Sequence, residues 1–246
     1  MRFVKSFVAA AALAVSASAF ATPVSLGGES PDLQTIINGL YTAGGTATSA
    51  APNVNTNQAA EGGVFQIEAS GGSVATMIIE VAGNAAINTF GIYDLNSPGT
   101  MLQLFSGAAT GGSQAFLSVT DTNLFSVNFG AGVQFSSSSF GYYLSAANGN
   151  TFYSVPTNNV GDEDHMVAFR GDGDVIKLPG RPAGQWGSSS YILAWEDLPL
   201  STGDKDYNDM VVYVESVSVP EPGSLALLGL GLAGLAAAAR RKQKQA

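Results

Sequence analysis

Between Val64 and Val217 the chain breaks into about ten short runs rich in β-branched and aromatic residues, each closed by Gly, Asn, Asp or Ser. Side chains of this kind fit a pleated, half-buried surface. The predicted strands are 64–69, 75–81, 89–94, 101–105, 115–119, 126–129, 140–146, 165–169, 191–195 and 210–217. Asn96-Ser97-Pro98-Gly99 is a predicted turn. Asn148-Gly149, set between Tyr142–Ser145 and Thr151–Val155, is a hairpin signal. The expectation is an all-β fold, a β-sandwich of jelly-roll type, with its strand order open. One short helix precedes it, because Leu33, Ile36, Ile37 and Leu40 fall at helical spacing. Asp32 offers an N-cap and Gly39 a stop. The Gly, Ala, Thr, Ser and Asn stretch from Thr42 to Asn57 reads as a loop.

Both ends of the chain differ from this body. Arg2 and Lys5 precede an apolar core from Phe7 to Val15, too short to span a membrane, and Ala19-Phe20-Ala21 supplies an A-x-A cleavage site. Residues 1–21 are therefore expected to be a signal peptide, removed by signal peptidase. At the other end, Val219-Pro220-Glu221-Pro222-Gly223 breaks any strand. Leu225 to Ala239 is unbroken Leu, Ala and Gly, followed by Arg240, Arg241, Lys242 and Lys244. With Gly223 and Ser224 included this is about the shortest uncharged run that crosses a bilayer, and the basic cluster behind it stays cytoplasmic. The predicted division is signal peptide 1–21, β domain 22–218 and sorting tail 219–246.

Pro-Glu-Pro, a short apolar helix and an Arg-Arg-Lys cluster, in that order, resemble the PEP-CTERM sorting signal of Gram-negative bacteria. The resemblance implies recognition and cutting by an exosortase, and an association with exopolysaccharide. The tail is then a transient membrane anchor, and the finished protein belongs at the cell surface or in the extracellular matrix.

Six of the ten basic residues lie in the two end segments, and Glu221 is the one acid there. The body from Thr22 to Val219 thus holds four basic and eighteen acidic residues, a net charge of −14. Such a charge repels nucleic acid and anionic membrane and favours cations or neutral partners. The chain has no cysteine, so an exported fold of this kind is held by its core or by metal.

Eleven of those eighteen acids lie between Asp162 and Glu215. The densest stretch, Glu196 to Asp209, joins two predicted strands. Five carboxylates, Glu196, Asp197, Asp204, Asp206 and Asp209, share it with one cation, Lys205. Hard oxygen ligands in such number suit Ca²⁺, which takes roughly six to eight. Asp204-x-Asp206-x-Asn208 imitates the opening of an EF-hand loop, with Glu215 at its twelfth place. That match fails, because Asp209 stands where the turn needs Gly. The strand that follows would also carry Glu215 about 20 Å away at roughly 3.3 Å per residue. A calcium site built from a loop and strand ends is expected, with Glu196 or Asp197 meeting Asp204, Asp206 and Asp209. A solvated acidic loop is the alternative. Trp195, Leu198 and Tyr207 are expected to pin the loop to the core.

Ala194-Trp-Glu-Asp-Leu-Pro followed by Gly203-Asp-Lys-Asp-Tyr-Asn-Asp-Met-Val-Val resembles the signature of the DUF4114 family, a domain of unknown function. Asp164–Phe169 and Asn88–Asp94 fit its pattern as well. The resemblance implies a β-rich extracellular module, often followed by a PEP-CTERM tail, without an assigned activity.

Other features weigh less. Gly171-Asp172-Gly173-Asp174 reads as a turn, with a second cation loop as the alternative. Arg170-Gly171-Asp172 is a chance tripeptide. The sole histidine, His165, reads as a turn residue before a strand, with a metal or acid–base role as the rival. The chain has no cysteine nucleophile, no G-x-S-x-G and no H-E-x-x-H. Glycoside hydrolysis needs two carboxylates across a sugar cleft, whereas these acids gather on one loop. The expected function is a calcium-stabilised, non-enzymatic surface or matrix module. A lectin-like carbohydrate-binding module, using aromatics such as Tyr142, Tyr143, Trp186 or Tyr191, is the alternative, and a glycan-active enzyme ranks below both.

Overall fold

The computed structural model describes residues 21–44, 50–60, 63–68, 72–80 and 87–220. Within them the chain forms one α-helix, α1 (Leu33–Gly44), and the strands β1 (Val64–Ile67), β2 (Ser73–Glu80), β3 (Thr89–Asp94), β4 (Ser97–Phe105), β5 (Gln114–Val119), β6 (Leu124–Val127), β7 (Val133–Gln134), β8 (Ser139–Ser145), β9 (Thr151–Tyr153), β10 (Met166–Arg170), β11 (Val175–Ile176), β12 (Gly184–Gln185), β13 (Ser190–Trp195), β14 (Met210–Glu215) and β15 (Val217–Ser218). All pairings are antiparallel. One sheet runs β15-β1-β8-β3-β4, with β9 on β8; a second runs β10-β13-β14-β2-β5-β6-β7; β11 and β12 pair as a separate two-stranded sheet.

Side-chain alternation explains how the layers assemble. On β13 and β14, Tyr191, Leu193, Trp195, Met210, Val212 and Val214 enter a core shared with the six-stranded sheet. Ile192, Ala194, Val211 and Tyr213 point the other way into a second core. Successive residues of a strand face opposite sides. An unbroken apolar run is therefore buried on both faces. Rings meet across the first core, Phe65 with Tyr191 at 5.7 Å and Phe90 with Trp195 at 5.9 Å. The second core is closed by α1 through Leu33, Ile37 and Leu40, together with Ile176, Leu178 and Trp186.

Several boundaries differ from the sequence expectations. Asp32 caps α1 by accepting the Thr35 N–H at 2.7 Å. The helix nevertheless runs through Gly39 to Gly44, since burying Leu40 and Tyr41 outweighs the cost of about 1 kcal/mol for an internal glycine. Ser97–Gly99 open β4 rather than form the turn. The turn is at Leu95-Asn96, where Asp94 accepts the Asn96 N–H at 2.9 Å. Pro98 is tolerated there because β4 is an edge strand. Asn128 and Phe129 are left-handed (φ 50° and 60°), so β6 stops at Val127. Ser216 (φ 59°) ends β14 and swings Val217–Ser218 across to the other sheet. The Asn148-Gly149 hairpin forms as expected, joining β8 to β9.

Tyr142, Tyr143, Trp186 and Tyr191 are all buried, which removes them as sugar contacts. The Ala19 cleavage position and the tail from Glu221 onward lie outside the described residues; Ala21, Val219 and Pro220 lie inside. Among the described residues no helix is long and apolar enough to cross a membrane.

Candidate metal centre

β13 and β14 stay in register as far as Trp195 opposite Met210, so the acidic loop leaves and re-enters the sheet at one edge. The Glu196 N–H donates to the His165 carbonyl at 3.1 Å, prolonging the ladder by one step. Asp209 closes the mouth of the loop by accepting the Asp197 N–H at 2.8 Å. Between them Lys205 (φ 61°) and Tyr207 (φ 54°) are left-handed, a conformation that costs of order 1–3 kcal/mol for a side-chain-bearing residue. Burial of the Tyr207 ring and the bond from its hydroxyl to the Asp164 carbonyl at 2.6 Å offset that cost. The result turns Asp206 and Asn208 inward; both are 1 % exposed or less.

The segment that leads to α1 lies across this loop. Ser25 N–H donates to the Lys205 carbonyl at 2.8 Å. Glu29 N–H reaches Asp206 Oδ2 at 3.4 Å, and Asn208 Nδ2 donates to the Pro31 carbonyl at 3.1 Å. Two glycines leave room for the carboxylates. A Cβ on Gly28 would stand 3.3 Å from Asp204 Oδ2, and one on Gly203 would collide with Glu196 Oε1.

Glu196, Asp206 and Asp209 each bring one carboxylate oxygen to within 4.8 Å of the other two. Glu196 is wholly buried, and neither of its oxygens has a hydrogen-bond partner. Asn208 Oδ1 is buried and unpartnered too. Burial, and then the charges of Asp204 and Asp206, push the Glu196 carboxyl up to about 7; the nearby Leu198 N–H opposes this without reaching hydrogen-bond geometry. Burial likewise pushes Asp209 up to about 8, against the Asp197 N–H and with the charges of Asp197, Glu196 and Asp206. Asp206 is raised chiefly by burial. No Lys or Arg among the described residues pairs with these three acids. The cluster is therefore an uncompensated set of hard oxygens.

Of the five acids expected as ligands, the fold brings these three together. Asp197 is buried but accepts from Asn88 Nδ2 at 2.9 Å, which ties it to the β2–β3 side. Asp204 is exposed at the rim. Asn208, the third place in the Asp204-x-Asp206-x-Asn208 spacing, adds an amide oxygen to the three carboxylates, a donor that a count of acids leaves out. Glu29, whose carboxyl is raised by slight burial and then by Asp206, Asp204 and Asp197, carried no sequence signal. Trp195 and Tyr207 pin the loop as expected, whereas Leu198 is 38 % exposed. Along Gly171–Asp174 the chain bends at Gly173, with the Asp174 N–H bound to Asp172 Oδ1 at 2.9 Å.

His165 lies in the irregular segment directly before β10, and its side chain is buried. It is 1 % exposed, stacked on Phe152 at 3.9 Å, and bonded through Nδ1 to the Glu196 carbonyl and through Nε2 to Glu163, each at 3.2 Å. On its far side a cleft of about 410 Å³ is lined by Asn150, Tyr153, Asn158, Glu163, His165 and Ser201 among others. Glu163 is the one carboxylate in that lining.

Residues 71–217 match the Domain of unknown function (DUF4114) family, and residues 218–242 match the PEP-CTERM protein-sorting motif. No curated protein and no solved structure matches the chain.

Proposed function

Because the chain belongs to the DUF4114 family and carries an exosortase-type sorting motif, we propose that it is a non-enzymatic extracellular β module whose acidic loop is closed by Ca²⁺. The sorting motif makes it an exported protein processed by an exosortase. The observation that carries the calcium reading is Glu196: a wholly buried carboxylate, both oxygens unpartnered, beside Asp206 and Asp209. A buried acid with no donor is costly unless a proton or a cation meets it. Calcium takes flexible oxygen sets, so Glu196, Asp206, Asp209 and the Asn208 amide oxygen would hold it. The bound ion would neutralise the loop and fasten it to the β13–β14 edge. The jelly-roll description of the two facing sheets, and a place for the module in an exopolysaccharide layer, belong to the same proposal.

Calcium titration of the exported protein tests it. We expect heat of binding and a raised melting temperature, both lost in Asp206→Ala and Asp209→Ala. Equal melting in Ca²⁺ and in chelator would sink the reading.

The cleft beside His165 favours a second reading, carbohydrate binding, because side-chain amides, a hydroxyl and the half-buried Tyr153 suit sugar hydroxyls. Its single carboxylate supports binding over the two-acid chemistry of glycosidases. Glycan-array signal abolished by Asn158→Ala and Tyr153→Ala would establish this reading; an array without signal would remove it.

A further inference from the structure

The segment that crosses the acidic loop starts at Thr22, the residue after the Ala19-Phe20-Ala21 cleavage signal. All three polar atoms of Thr22 are engaged by side chains far along the chain. Its N–H donates to Gln58 Oε1 at 2.8 Å, and its carbonyl accepts from Gln58 Nε2 at 2.7 Å. Its hydroxyl donates to Asp164 Oδ2 at 2.7 Å. Gln58 is itself held, because Nε2 also donates to the Val54 carbonyl at 2.7 Å. Ala21, one residue earlier, is exposed. A cavity of about 90 Å³ adjoins these groups, lined by Ala21, Thr22, Gln58 and Asp164 among others. It has room for an ammonium group and water.

Asp164 lacks a full counter-charge. Burial raises its carboxyl, and the Thr22 hydroxyl, the Met166 N–H and His165 lower it only in part. Its neighbours Glu163 and His165 are paired with each other. Three covalent bonds separate the hydroxyl oxygen of Thr22 from its nitrogen, so the Asp164 carboxylate lies within roughly 6 Å of that nitrogen. At this range an opposite charge favours the ionised form of both groups.

We propose that Gln58 and Asp164 form a receptor for the protein's own processed amino terminus, a primary ammonium on Thr22. Water cleaves the Ala21–Thr22 amide bond, leaving a carboxylate on Ala21 and an amine on Thr22 that takes up a proton. The new ammonium keeps the Gln58 bond and faces Asp164 across the cavity. The proposal rests on the signal-peptide reading and is independent of calcium. It gives leader removal a structural consequence. The anchored segment continues through Val24, bonded to Asn55, to Ser25, Glu29 and Pro31 on the acidic loop.

The test uses the exported protein with its native processing. Mass spectrometry of the intact amino terminus identifies the first residue. Reductive ¹³C-methylation followed by NMR titration then gives the pKa of the α-amine. We expect Thr22 as the first residue and an α-amine about one pH unit above its usual value of about 8. Asp164→Asn should return it to about 8, and Gln58→Glu should raise it further. If Asp164→Asn does not fold, the Gln58→Glu and Gln58→Ala pair decides. An amino terminus at Thr22 whose amine titrates normally in every variant overturns the receptor and leaves the leader reading intact. A first residue other than Thr22 overturns the leader reading and the receptor with it.

Discussion

Glu196→Gln separates a cation site from an ordinary buried acid, because its effect on stability should change sign with calcium. In the unfolded chain this carboxyl ionises near its ordinary value of 4.5, whereas in the fold burial raises it to about 7. A raised folded value means that the native state holds the proton more tightly. Without metal, stability is therefore undiminished below pH 4.5 and falls as pH rises toward 7. The full loss is on the order of 3 kcal/mol. Gln has the same shape and no charge, and its amide can donate to Asp206 or Asp209. In chelator at pH 8 the variant should therefore melt higher than the wild type, by about 6–12 °C for a domain of this size. At pH 4.5 the two should melt together. At a thousandfold excess of Ca²⁺ over Kd at pH 8 the order should reverse: the wild type gains about 4.1 kcal/mol, and the variant gains little. Differential scanning calorimetry at the two pH values, with Ca²⁺ and with chelator, reads all four states. A variant that melts no higher than the wild type in chelator at pH 8 would refute the uncompensated charge. A variant that keeps the full calcium response would refute Glu196 as a ligand.

Further outcomes follow from the same geometry. Gly203→Ala drives a methyl into Glu196 Oε1, so it should cost about 1–3 kcal/mol and weaken Ca²⁺ binding in calorimetry. Asp32→Ala removes the cap on Thr35 and should lower stability by about 1 kcal/mol in urea denaturation, with the calcium response unchanged. Asp204→Asn, at the exposed rim, should lower Ca²⁺ affinity far less than Asp206→Ala does, as measured in parallel titrations.

Much of the fold was legible because its signals are local. Alternating and continuous apolar runs located the main strands, Asn148-Gly149 located a hairpin, and Asp32 located the start of the helix. Two-residue strands such as β7, β11 and β12 left no trace, since a pair of residues has no period to read. Gly39 misled because a glycine inside a helix costs little when the next turn buries Leu40 and Tyr41.

By itself, the sequence determined that the chain is an exported β protein, that its body is strongly acidic, and that one loop supplies most of the candidate oxygens. Which of those oxygens converge was decided by tertiary structure. Glu196 and Asp197 are neighbours in sequence, yet only Glu196 has an oxygen in the three-acid group; the Asp197 carboxylate is held by Asn88. Asp204 and Asp206 are two apart, yet left-handed Lys205 and Tyr207 leave one exposed and the other buried. The roof of the site is the 25–31 segment; its Glu29 and Pro31 lie 177 positions from Asp206 and Asn208, which they touch. Spacing along a loop fixes how many ligands are available. Their convergence depends on backbone conformation and on contacts between distant segments, which no local pattern encodes.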